Sequence, residues 1–239
     1  MPVRPPRRNP SHGDASRGTA SWSDYPRSVR PTAAALRALA ERDPVLGAAL
    51  RELPRFPGFP APDARRRTHF DEIARAIVYQ QLTGRAAATI HARVCALTPG
   101  PRAPRADELL ALPEEQLRGA GLSRAKVAAL RDLAARVVDG RLRLAGIARL
   151  ADADVVERLT QVRGIGVWSA QMFLMFRLGR LDVMPAGDLG VQEGVRLLDG
   201  LDERPDPEHV LARSAAWAPL RSVGAWAMWR LVEARRAAR

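Results

Sequence analysis

The chain has 239 residues, 46% hydrophobic and 27% charged, a composition that suits one large domain or two small lobes sharing a cleft. No apolar run approaches the ~20 residues of a membrane-spanning helix, so no such span is expected. The formal net charge of +12 favours a polyanionic partner, DNA or RNA before others, and the one cysteine excludes an internal disulfide, a cysteine-ligated zinc site and a four-thiolate iron–sulfur cluster.

Residues 1–31 are rich in Pro, Arg, Ser and Gly and lack apolar periodicity, which reads as a disordered basic arm. Residues 1–30 carry six arginines and two aspartates, so the remainder of the chain is basic as well. The start lacks the apolar core of a signal peptide, and a cytoplasmic, nucleoid-associated location is expected. Residues 32–239 read as one helical domain with almost no strand signal.

Within it, Thr32 is placed to cap a helix over 33–42, and Pro44 opens a second. Residues 54–63 hold four prolines and read as a loop. Thr68 and Asp71 have the spacing of a capping box before a helix over 70–81. Thr83-Gly84 breaks that helix, and another covers 85–97 with Cys95 as a small core residue. After a Pro-rich linker, short helices are expected at 106–111 and 114–119. Ser123 caps 124–138, which stops at Gly140. Asp152 or Asp154 starts 155–161, an apolar helix covers 167–179, and Asp188 can cap 189–199. Helices over 207–216 and 219–237 complete the domain. His69, His91 and His209 lack metal-ligand spacing.

The most informative stretch is Leu159-Thr160-Gln161-Val162-Arg163-Gly164-Ile165-Gly166-Val167-Trp168-Ser169-Ala170, in which two helices flank a four-residue turn containing Gly164 and Gly166. The glycines permit positive φ and close backbone approach, and the second helix offers free N–H groups to a phosphate. Ile165 would plug the gap between the helices, and carbonyls before the turn could hold a monovalent cation. Taken alone, such a turn is as often a plain helix connection. About twenty residues on, Asp188 stands at a helix start after Pro185, which in isolation also reads as a simple N-cap.

Together with Phe70–Leu82, Gly121-Leu122-Ser123-Arg124-Ala125-Lys126 and Trp217–Ser222 followed by Trp229, these segments resemble the helix-hairpin-helix superfamily of base-excision DNA glycosylases. The similarity is to the DNA-3-methyladenine glycosylase II, or alkylbase, branch, and it covers roughly residues 65–235. It implies an all-α fold of two helical lobes with a central cleft, the motif lying at about 154–179. The β-rich N-terminal domain of some members is not expected here.

The resemblance implies roles for particular residues. Asp188 matches the catalytic aspartate, whose carboxylate stabilises the oxocarbenium-like sugar formed as the base leaves. Trp168 and Trp229 match pocket aromatics that attract cationic bases, with core packing the alternative for each, and Met172 replaces a further aromatic. Gln81, or Leu82, matches the wedge that fills the hole left by an extruded base. Amides of Gly164, Gly166 and Val167, with Arg163 or Arg221, would hold the DNA backbone. Carbonyls of Thr160, Val162 and Gly164 match a site for a structural sodium or potassium ion; no catalytic cofactor is implied.

In members that also cut the strand, a lysine matches Trp168 and forms a Schiff base. Lys126 is the only lysine, expected near backbone phosphate or solvent, so hydrolysis without strand cleavage follows. The expected partner is double-stranded DNA containing alkylated bases, and the expected active form is a monomer. The alternatives are a sister glycosylase for other damaged or mismatched bases and a catalytically silent DNA-binding module.

Overall fold

Short polar side chains begin most of the helices. In a computed structural model, which describes residues 29–60, 67–100 and 102–238, side chains of Thr32, Asp43, Thr68 and Thr83 accept the first free amides of α1 (Ala33–Arg42), α2 (Pro44–Glu52), α3 (His69–Tyr79) and α4 (Gly84–Cys95). Thr68 and Asp71 form the capping box reciprocally. Short helices α5 (Ala106–Ala111) and α6 (Glu114–Gly119) precede α7 (Arg124–Val138), capped by Ser123. Then follow α8 (Asp152–Thr160), α9 (Val167–Phe176), α10 (Leu189–Asp199), α11 (Pro207–Arg213) and α12 (Arg221–Ala237).

The expected all-α class holds. Among the described residues there is no strand, only an isolated bridge between Val29 and Phe59. Most of the basic arm lies outside the described residues; its end is in place, because Val29 exchanges backbone hydrogen bonds with Phe59.

Several boundaries differ from the sequence reading for local reasons. Helix α3 stops at Tyr79 because Gln80 leaves helical geometry and Gln81 adopts a left-handed φ of 55°. Neither Asp152 nor Asp154 caps α8; both lie inside its first turn, where the helix dipole favours a negative charge. Helix α9 ends at Phe176, ahead of Gly179 at φ 72°. Helix α12 begins at Arg221, not Pro219, since Ala218 and Leu220 are not helical.

The chain builds two lobes. Helices α3 to α9 form one, with α7 packed against α3, α5 and α6, and α8 against α9. Helices α1, α2, α10, α11 and α12 form the other. The chain starts in the second lobe, completes the first, and returns. Helices α10 and α12 pack most closely: a Cβ on Gly194 would lie 2.3 Å from that of Met228, so only glycine allows this approach. Between the lobes, Phe59 stacks edge-on against Phe56 at 5.0 Å and Phe176 at 4.8 Å, and Phe56 against Trp226 at 5.3 Å.

Asp43 anchors the second lobe. Its buried carboxylate accepts from the Leu46 amide, from Trp217 Nε1 at 2.6 Å and from Arg213, which also reaches Asp199. Burial pushes the Asp43 carboxyl up, but the Arg213, Leu46 and Trp217 hydrogen bonds and the guanidinium charge outweigh it and hold the pKa at about 2, against an ordinary 3.8. A depressed folded-state pKa contributes stability that is present above the unfolded value and disappears as pH falls through the folded one. We therefore expect Asp43→Asn to lower unfolding stability at pH 7 by roughly 2–4 kcal/mol. In urea titrations the gap between variant and wild type should close as pH falls from about 4 towards 2.

Candidate functional site

Asp188 is the N-cap of α10, reached through the loop that holds Pro185 and Gly187. Its Oδ1 accepts from the Val191 amide and from Trp229 Nε1, both at 2.9 Å. Its Oδ2 accepts from Trp168 Nε1 at 2.7 Å. Three donors from α9, α10 and α12 therefore hold one carboxylate by both oxygens. Gly190 makes this possible. A Cβ there would lie 2.9 Å from Trp229 Cδ1 and 3.0 Å from Asp188 Oδ1, closer than packing allows. Among the described residues no arginine, lysine or histidine is ion-paired with Asp188.

The carboxylate borders a cavity of about 890 Å³ between the lobes. Trp168 stands at its mouth, 47% exposed, while Trp229 and Met172 are half-buried in its wall. Phe176 also lines the cavity and lies 5.7 Å from the Trp229 ring at a 30° tilt. Phe173 is buried yet also borders the space, and Met175 is fully core. Opposite, α3 contributes Tyr79, with the Arg75 guanidinium 3.9 Å above its ring, and Glu72, paired with Arg67 at 2.6 Å. Gln81 and Leu82 are exposed at the rim.

The hairpin faces the same cleft. Val162 and Ile165 are buried between its helices. Gly164 turns the chain at φ 78°, and a Cβ there would press on Ala129 of α7 at 3.3 Å. Asp132, also on α7, accepts from the Arg163 amide at 2.8 Å and from Arg136 Nε at 2.9 Å. Burial pushes the Asp132 carboxyl up, but those bonds and the Arg136 charge bring it below the ordinary range. Gly166 is the N-cap of α9 and supplies no side chain, so the first amides of that helix, from Val167 on, have no intrahelical acceptor. Gly166, Val167 and Arg163 are exposed.

The structure gives three of the expected groups protein partners. Lys126 is part-buried, its Nζ donates to the carbonyls of Val78 at 2.7 Å and Gln80 at 2.8 Å, and burial lowers its pKa. Arg221 is engaged in a two-pronged pair with Asp182, both contacts at 2.8 Å, which ties α12 to the loop between α9 and α10. The carbonyls proposed for a monovalent ion are partly taken. Gly164 accepts from Gln80 Nε2 at 2.9 Å and Val162 from the Ile165 amide at 3.0 Å. A carbonyl oxygen has two lone pairs, so one accepted bond at each of two positions does not close the set to an ion, and no step is routed through one. Gly190, Gln80 and Asp132 escaped the sequence reading, since their work is done on partners distant in the chain.

Residues 74–219 match the family model described as HhH-GPD superfamily base excision DNA repair protein. A DNA-3-methyladenine glycosylase 1 from Schizosaccharomyces pombe is 36% identical over 162 residues, spanning 67% of this chain and 71% of the relative. Among solved structures, the Schizosaccharomyces pombe 3-methyladenine DNA glycosylase in complex with abasic DNA superposes with a TM-score of 0.71 at 31% identity, covering 82% of this chain and 95% of that one. A DNA-3-methyladenine glycosidase from Bacillus halodurans gives 0.73 at 32% identity, covering 85% and 91%. With its helical hairpin, its cleft and most of its length matched, the chain belongs to the HhH-GPD superfamily of base excision DNA repair proteins.

Proposed function

We propose that the chain is a monofunctional DNA glycosylase that hydrolyses the N-glycosidic bond of alkylated bases, of the 3-methyladenine kind, in duplex DNA. The observation that carries this reading is the Asp188 carboxylate. It is fixed by both oxygens at the edge of a cavity wide enough to admit a base, and no cation among the described residues neutralises it. A negative charge left unpaired at a cleft is poised for a positive charge that arrives with the substrate. The names of the relatives, 3-methyladenine glycosylases from yeast and bacteria, support the same chemistry.

The steps follow from the geometry. The first amides of α9, with Gly164 and Gly166, hold phosphate of the lesion strand at the positive end of the helix. Gln81 or Leu82 enters the stack as the damaged nucleotide swings out. The base lies among Trp229, Phe176 and Met172, and the two aromatic faces attract a base that already carries positive charge. As the C1′–N bond breaks, positive charge grows on the sugar, and Asp188 stabilises it electrostatically while water adds at C1′ and gives up a proton to solvent. A cationic base leaves neutral and needs no proton from the protein. The position matched to the lyase lysine holds Trp168, and the one lysine amine is bound to carbonyls.

Asparagine is as good an N-cap as aspartate, so Asp188→Asn should fold normally. We expect it to lose about 100-fold or more in single-turnover base release from alkylated duplex, while binding abasic duplex within a few-fold of wild type. Release that survives the substitution would overturn the assignment. Wild-type product strands should stay intact until alkali treatment, and borohydride should trap no protein–DNA adduct. A trapped adduct refutes simple hydrolysis.

The indole bonds give a second expectation. A hydrogen bond to a charged group contributes about 1.5–3 kcal/mol, so Trp229→Phe, which keeps the ring and removes the N–H, should slow release roughly 10–100-fold. Gly190→Ala should show a comparable loss, because its Cβ would push Trp229 away from Asp188. Thermal unfolding of both variants near that of wild type would place the loss in the site; coincident loss of fold would assign these residues to packing.

A further inference from the structure

Helix α3 ends where the chain turns into the cleft rim, and that turn is unusual. Gln80 is extended, and Gln81, with a side chain, adopts the left-handed φ of 55°, a conformation that costs free energy and persists only where its surroundings impose it. Beside it stands the ammonium of Lys126 on α7, which donates to Val78 O and Gln80 O, one inside the helix end and one at its cap. From the same turn, Gln80 Nε2 reaches across to Gly164 O at 2.9 Å and Ser169 Oγ at 3.4 Å, both in the hairpin motif. Helix α7 thus holds the rim turn through Lys126 and the hairpin through Asp132, and Gln80 joins the two directly.

We propose that Lys126 is a positioning residue. Acting through Gln80, it fixes the register between the turn that enters the base stack and the hairpin that grips the backbone, so that extrusion and phosphate capture occur together. This rests on the glycosylase reading above. Lys126 does not line the cavity beside Asp188, and its two carbonyl bonds make it a bound cation at the C-terminal end of α3.

The test compares wild type, Lys126→Met, Lys126→Arg and Gln80→Leu. Three measurements are made: single-turnover release from alkylated duplex, affinity for undamaged duplex, and fluorescence of 2-aminopurine placed beside the lesion, which rises on unstacking. Lys126→Met should slow release by about 10-fold or more and blunt the fluorescence rise, with duplex affinity within about 2-fold and thermal unfolding little changed. Lys126→Arg should recover most of the loss, since a guanidinium can serve two carbonyls. Gln80→Leu, which leaves the lysine's carbonyl bonds in place, should reproduce the Lys126→Met pattern. If wild type is active and Lys126→Met matches it in rate and fluorescence, the inference is wrong. It is equally wrong if release, affinity and unfolding temperature fall together, which marks a contact of folding only. If wild type releases no base at all, the failure lies with the glycosylase reading instead.

Discussion

Hydrogen bonds from three helices converge on the Asp188 carboxylate, and the two lobes meet through them. Trp168 belongs to the lobe of α3–α9, whereas Trp229 and the Val191 amide belong to the lobe of α10–α12. An indole N–H can only donate, and the carboxylate serves as acceptor both for half-buried Trp229 and for exposed Trp168. The width of the cleft beside the carboxylate is tied to these bonds. Gly190 sets how closely Trp229 can approach, and a single methyl group there would press the Trp229 ring away from its acceptor.

Two aspartates in this fold share a local design and differ in what surrounds them. Asp43 and Asp188 are both helix N-caps, and both accept indole N–H groups. Asp43 is buried and met by the Arg213 guanidinium, so its charge is consumed within the protein and holds the second lobe together. Asp188 opens on a cavity and is answered only by neutral N–H donors among the described residues. A carboxylate in that setting is held in place but not neutralised, and its field remains for a cation formed in the cleft. The distribution of arginine follows the same division: Arg213 and Arg221 close internal pairs, whereas Arg163 is exposed on the hairpin.

Helix α7 plays the supporting part. It carries no group at the carboxylate, yet Lys126, Ala129 and Asp132 on it touch the rim turn, the glycine of the hairpin and the amide beside it. Elements that must act on one DNA duplex are thereby mounted on one rigid rod, which places them more reproducibly than loops alone would.

Much of this was written in local sequence. Capping residues, apolar spacing and the Gly-Ile-Gly turn depend on neighbours a few positions away, so the helices, the hairpin and Asp188 at its helix start were legible before any fold was known. Helix ends at Tyr79 and Arg221 were misplaced because backbone geometry beyond the last turn follows tertiary contacts. What only the folded chain decided lies in pairs far apart in sequence: Trp229 with Asp188, Lys126 with Val78 and Gln80, Gln80 with Gly164, Arg221 with Asp182. Residue type announces that a tryptophan or lysine will donate, but the acceptor is chosen by which helices pack together, and periodicity within one helix carries no record of that choice.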